Sequence, residues 1–128
     1  MNESILDSTA ILAILDREPG AEKLSLEILS QAVISAVNLA EVQTVLVNRD
    51  IPPEEAWVDA CSPVREVISF SREQAKLVGS LIKQTRLLGL SLGDRACLAL
   101  GILRSVPVYT ADRVWKKLKI GVEVRLLR

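Results

Sequence analysis

The sequence predicts an α/β fold, a three-layer α/β/α sandwich around a central, mainly parallel sheet of about four to five strands. Short apolar runs alternate with longer segments of helical spacing, the pattern of strand–helix–strand units whose sheet is covered on both faces. Hydroxyl, acidic and proline residues stand where each helix would begin. At 128 residues the chain fits a single domain, 1–128.

Ile5-Leu6 ends in Asp7 and reads as a first strand. Ser8 or Thr9 caps a helix to about Arg17, closed by Pro19-Gly20. Ala21 to Gln31 reads as a second helix with Leu24, Ile28 and Leu29 on one face. Ala32 to Ser35 is a buried strand, and Val37 to Asn48 returns to helical spacing with Leu39, Val42, Val45 and Leu46 inward. Pro52-Pro53-Glu54-Glu55 is a helix start, with proline and acids in the first turn. Val64 to Phe70 is the next strand. Ser71 with Gln74 forms a capping box for a helix that Gly89 ends. Ser91 to Leu103 is apolar on nearly every side and predicts a central, buried helix. Val106 to Tyr109 is a strand, Ala111 to Leu118 a short helix, and Val122 to Leu127 a last strand.

Composition narrows the function. Apolar residues make up 49% but aromatics only 3%, so Leu, Ile, Val and Ala build the core. The net charge of zero hides an asymmetry: residues 1–60 hold 11 acids against 3 bases, and residues 61–128 hold 5 against 13. An acidic site beside a basic surface suits a polyanion. Cys61 and Cys97 lack zinc-ligand spacing and read as buried free thiols in a reducing cytoplasm. Ala10 to Leu15, the longest early apolar run, is too short for a signal or a membrane span. A soluble cytoplasmic protein with no membrane contact is expected.

Asp7, Glu41, Asp94 and Asp112 stand just after strand-like runs or in the first turns of the helices that follow. In a parallel sheet those places share the carboxyl edge, where open α/β folds build their sites. Carboxylates gathered there need a cation between them. Hard oxygen ligands suit Mg²⁺ or Mn²⁺, which points to a metal-dependent reaction on phosphate. Each acid also has an ordinary structural role; Asp94 is three residues after Ser91, an N3 position favoured by the helix dipole. Ser8, Thr9, Asn38 and Thr110 can orient the acids or cap helices. The basic run Arg113, Lys116, Lys117 and Lys119, with Arg125 and Arg128 later, offers phosphate contacts or a solvated face.

The chain has no histidine, so a Ser-His-Asp triad and imidazole ligands are excluded. Neither G-x-x-x-x-G-K-[ST] nor G-x-G-x-x-G occurs. Phosphotransfer on Asp7 is the enzymatic rival, although Thr9 stands where one such pattern wants a second acid.

Four ordered blocks carry a family resemblance. Leu6 to Ala13 with Glu18 to Glu22, Ile34 to Val42, Leu90 to Leu100, and Val108 to Arg113 resemble the four motifs of a PIN-domain ribonuclease toxin of the VapC type. The resemblance implies a PIN-like fold and an Mg²⁺- or Mn²⁺-dependent endoribonuclease that cuts structured RNA, often transfer RNA. It implies a separate VapB-like antitoxin that blocks the site. By position, Asp7, Glu41, Asp94 and Asp112 would be the catalytic, metal-binding acids, with Ser8, Asn38 and Thr110 in support. Thr9 departs from a common serine but keeps the hydroxyl. Arg113, Lys116 and Lys117 are the candidates for RNA phosphate, a reading from charge rather than motif. A homodimer is expected, with the helices at Ala21–Gln31 and Val37–Asn48 as candidate surfaces. The alternative is a non-catalytic RNA-binding or assembly module with the same fold.

Overall fold

The computed structural model describes residues 2–128. Five strands form one sheet: β1 (Ser4–Leu6), β2 (Ala32–Ser35), β3 (Glu66–Ile68), β4 (Val108–Thr110) and β5 (Val124–Leu126), in the order β3-β2-β1-β4-β5. Every pairing is parallel, with Ile5 opposite Val33 on one side and Val108 on the other. The expected sandwich is therefore present, with a wholly parallel sheet. The strand order reverses between β1 and β4, which opens a crevice outside their carboxyl ends.

Alternate residues of the short strands feed opposite faces. Leu6, Ile34 and Tyr109 point into one core with α1 (Ser8–Leu15), α3 (Ala36–Asn48) and α4 (Pro53–Cys61). Ile5, Val33 and Val108 point into the other, against α7 (Leu92–Arg104) and the fully buried Trp115. Strands buried on both faces need no polar alternation, which is why β1, β2 and β4 read as continuous apolar runs. The helix α5 (Arg72–Ser80) lies on α7, with Val78 against Ala96 and Ala99. Among the described residues no helix is long and apolar enough to cross a membrane. Both cysteines are free; Cys97 is buried and Cys61 partly so.

Several boundaries differ from the sequence expectation. The cap of α1 is Asp7, not Ser8 or Thr9; its side chain accepts from the Ala10 N–H. Residues 21–31 are not one helix. Ala21–Lys23 is a 3₁₀ turn, and Ser25 starts a separate short helix, α2 (Leu26–Leu29), by accepting from the Ile28 N–H. The break falls at Leu24, whose ψ of 79° lies outside the helical range, and the turn is entered from Gly20. The φ of Gly20 is +94°, and a β-carbon there would lie 2.7 Å from the Leu127 carbonyl carbon. Ser71 caps α5, but Gln74 turns its amide to the Ser69 carbonyl, so the box is not reciprocal. The helix after Ser71 breaks at Leu81 into α6 (Ile82–Thr85) and a 3₁₀ turn (Arg86–Leu88), with Gly89 left-handed at φ +71°. The buried Thr85 hydroxyl donates to the Leu81 carbonyl, a competitor to helical pairing.

The strand from Val64 to Phe70 shortens to β3. The strand expected at Val106 starts at Val108, because Val106 donates back to the Gly101 carbonyl and Pro107 has no N–H. The last strand shortens likewise, to β5. Residues 113–117 form a 3₁₀ turn rather than an α-helix, opened by Asp112 accepting from the Val114 N–H.

Candidate active site

The carboxyl ends of β1, β2 and β4 deliver the site. Asp7 follows β1 directly and is only 2% exposed. Its Oδ1 accepts from the Thr9 hydroxyl at 2.7 Å and from the Ala10 N–H at 2.9 Å. Its Oδ2 accepts from the Thr110 hydroxyl at 2.8 Å, across from β4. Both hydroxyl hydrogens are thereby given to one carboxylate, and the two threonine oxygens face each other at 3.3 Å. Backbone N–H groups hold these hydroxyls in turn: Ala111 donates to Thr9 and Asp112 donates to Thr110. The Asp112 backbone is thus tied to Asp7 through Thr110, while its carboxylate accepts from the Val114 N–H.

Ser35 ends β2 and caps α3, which carries Asn38 and Glu41 on one face. The Asn38 amide donates at 2.9 Å to Glu41 Oε1 and at 2.9 Å to the Gly93 carbonyl, so it clips α3 to α7. Asn38 Oδ1 is buried with no partner. Asp94 forms the capping box of α7, its Oδ2 accepting from the Ser91 N–H at 2.8 Å. The structural role expected at an N3 position is real, and it uses one of the two carboxylate oxygens.

The electrostatics join three of the acids. Burial pushes the Asp7 carboxyl up to about 7 from an ordinary 3.8; the bonds from Thr9, Ala10 and Thr110 oppose the rise, and the charge of Asp94 adds to it. The Cys97 thiol, fully buried, is pushed well above its usual range by burial and then by Asp7, Asp94 and Glu41. Cys97 itself packs in the core with Ile5, Val33 and Leu98. No salt bridge among the described residues includes Asp7, Glu41, Asp94 or Asp112.

As the side chains stand, no three acidic or cysteine groups among the described residues form a ready cage for one ion. The donor set nevertheless fits Mg²⁺ or Mn²⁺: it is all oxygen, anionic, and free of basic partners. Mg²⁺ keeps much of its hydration and binds through one or two carboxylates plus substrate phosphates, so it does not need a closed protein cage. A hollow of about 770 Å³ lies elsewhere, at the amino edge of the sheet, lined among others by Glu3, Ser4, Tyr109 and Arg125. Its size does not make it the site, because none of the four acids lines it.

Of the supporting residues, Thr110 and Asn38 touch the acids, whereas no described hydrogen bond involves the Ser8 hydroxyl; Thr9 performs that contact. Arg113, Lys116 and Lys117 are exposed on the turn that Asp112 opens, and Lys116 approaches the Val124 carbonyl at 3.5 Å. Arg125 is engaged by Glu123 and the Tyr109 hydroxyl, and Arg128 by Glu18 and the Pro19 carbonyl. Gly93 was not singled out from the sequence; a glycine in the first turn of an apolar helix was the available signal.

A family model, the PIN domain, matches residues 4–121. A toxin–antitoxin complex from Klebsiella pneumoniae is similar at a TM-score of 0.75 and 18% identity, covering 98% of this chain and 98% of that one. A DNA-bound VapBC complex from Salmonella typhimurium gives 0.74 at 18% identity over 100% of each chain. A Mycobacterium tuberculosis VapC toxin, described as cleaving the sarcin–ricin loop, gives 0.72 at 16% identity, covering 94% of this chain and 99% of that one. At these identities the likeness speaks for the fold. No curated protein sequence matches.

Proposed function

The chain belongs to the PIN domain family, and from that premise we propose that it is a metal-dependent endoribonuclease, the toxin of a toxin–antitoxin pair. One observation carries the reading: Asp7 is buried at the switch point of the sheet, fixed by three neutral donors, with the charge of Asp94 acting on it and no ion-pair partner among the described residues. Asp7, Glu41, Asp94 and Asp112 would hold Mg²⁺ or Mn²⁺. A divalent cation there would offset charge gathering on the phosphate and favour ionisation of a water near neutral pH.

The protein's own part is positioning and proton handling. Thr9, Thr110 and the Ala10 N–H fix Asp7, and Asn38 fixes Glu41. In hydrolysis the water oxygen bonds to phosphorus, and the ester bond to the leaving oxygen breaks. An ionised carboxylate of the set takes the water proton, and the leaving oxygen gains one from solvent. Arg113, Lys116 and Lys117, exposed on the turn after Asp112, would meet neighbouring phosphates.

Structured RNA, transfer RNA first, is the proposed substrate. The partner is a VapB-like antitoxin that closes the site, and the chain pairs with a second copy in the cytoplasm. Structures similar to this chain come from toxin–antitoxin complexes, which supports the partner. Burial of Asp7, with both oxygens engaged, counts against the phospho-aspartate alternative.

The test is cleavage of cellular RNA by protein freed of antitoxin. Mg²⁺ or Mn²⁺ should support cleavage and a chelator should stop it. Binding of RNA without cleavage under both metals would favour the non-catalytic module.

A further inference from the structure

The Glu41 carboxylate rests where the side chain of residue 93 would begin. A β-carbon built on Gly93 would overlap Glu41 Oε2 and would lie 2.6 Å from Cδ and 2.7 Å from Oε1. Gly93 is buried, in the first turn of α7, two residues past the Ser91 cap. Its backbone is not among those with positive φ, so conformation does not call for glycine. Helix propensity disfavours it. Space is the remaining reason. Asn38 marks the spot, because its amide donates both to Glu41 and to the Gly93 carbonyl. The overlap is with the far end of one flexible side chain. An added methyl would therefore move the carboxylate and leave the helices in place.

We infer that Gly93 is a positioning residue of this site: its missing β-carbon is the seat of the Glu41 carboxylate. The consequence for activity rests on the ribonuclease reading above; the seat itself does not. The first turn of α7 is also where the helix field favours an anion. Glu41 is thus held by Asn38 from its own helix and by shape from the next.

Gly93→Ala, Glu41→Ala and the double variant test this in the full chain, with three readouts. Gly93→Ala should melt at or above the wild type. It should shift the Asn38 side-chain amide signals in an NMR spectrum. It should weaken Mn²⁺ binding by roughly tenfold or more, the usual scale when a group that orients a ligand is lost. In the Glu41→Ala background the same change should have no further effect on Mn²⁺ binding, because its only target is gone. Unmoved Asn38 signals would overturn the inference. So would an equal loss of Mn²⁺ affinity in both backgrounds. A lower melting temperature would show that the helices give way instead, and would overturn it too. A wild type that neither binds Mn²⁺ nor cuts RNA defeats the ribonuclease reading alone, since the Asn38 signals still decide the seat.

Discussion

Strand β1 has an acid beyond each end, and the protein treats the two in opposite ways. Glu3, at the amino edge, is answered by Arg104 at 2.9 Å and Arg65 at 3.1 Å. Asp7, at the carboxyl edge, is buried and answered by two hydroxyls and one N–H. The first carboxylate has its counter-charge built in. The second is oriented but not neutralised, and burial without a counter-charge pushes it up to about 7. Arginines pair with the acid at one edge; among the described residues no ion pair reaches Asp7 at the other.

The largest expected contrast is in catalysis. Asp7→Asn should lower RNA cleavage by roughly a hundredfold or more, as when a preorganised electrostatic group is removed. Glu3→Gln should leave the rate unchanged. Equal losses in a cleavage assay would mean that the edges do not differ in function.

Metal should stabilise only through the carboxyl edge. Mg²⁺ at a hundredfold excess over its dissociation constant should add about 2.7 kcal/mol to the wild type. Asp94→Asn should melt near the wild type without metal, since its amide oxygen can still accept from the Ser91 N–H, while its Mg²⁺ response shrinks. A full Mg²⁺ response in that variant, seen in paired thermal melts, would reduce Asp94 to a cap.

The pH dependence follows from Asp7. Its folded value of about 7 lies above the ordinary 3.8. A raised carboxyl favours the folded state while protonated. Its contribution is complete below about 4 and is lost as pH rises toward 7, at up to about 1.4 kcal/mol per unit. Metal-free Asp7→Asn should therefore gain on the wild type across that window in denaturant titrations. Parallel curves for the two proteins would contradict the burial argument. The smallest effect is at the amino edge, where Glu3→Gln should cost about 1 kcal/mol or less, as partly exposed ion pairs do.

Much of the fold and of the carboxyl edge was legible in the sequence. The order of strands and helices showed in apolar runs, and β2 has the bounds its residues suggested, because a strand buried on both faces has no polar alternation to blur it. The four acids stood out by their place after strands. What was not legible depends on partners distant in the chain. Thr9 and Thr110 meet only after β1 and β4 pair. The left-handed turn at Gly20 is pressed against Leu127, more than a hundred residues away. The role of Gly93 requires α3 and α7 to close on each other. Local propensity also favoured one long helix after Ser71, whereas the structure breaks it at Leu81.

Titration of Mn²⁺ into RNA-free wild type, Asp7→Asn and Glu3→Gln separates the two edges. The wild type should bind Mn²⁺, Glu3→Gln should bind with the same affinity, and Asp7→Asn should bind at least roughly tenfold more weakly. Equal affinity in all three proteins, or no binding by the wild type, would contradict a cation site at the carboxyl edge.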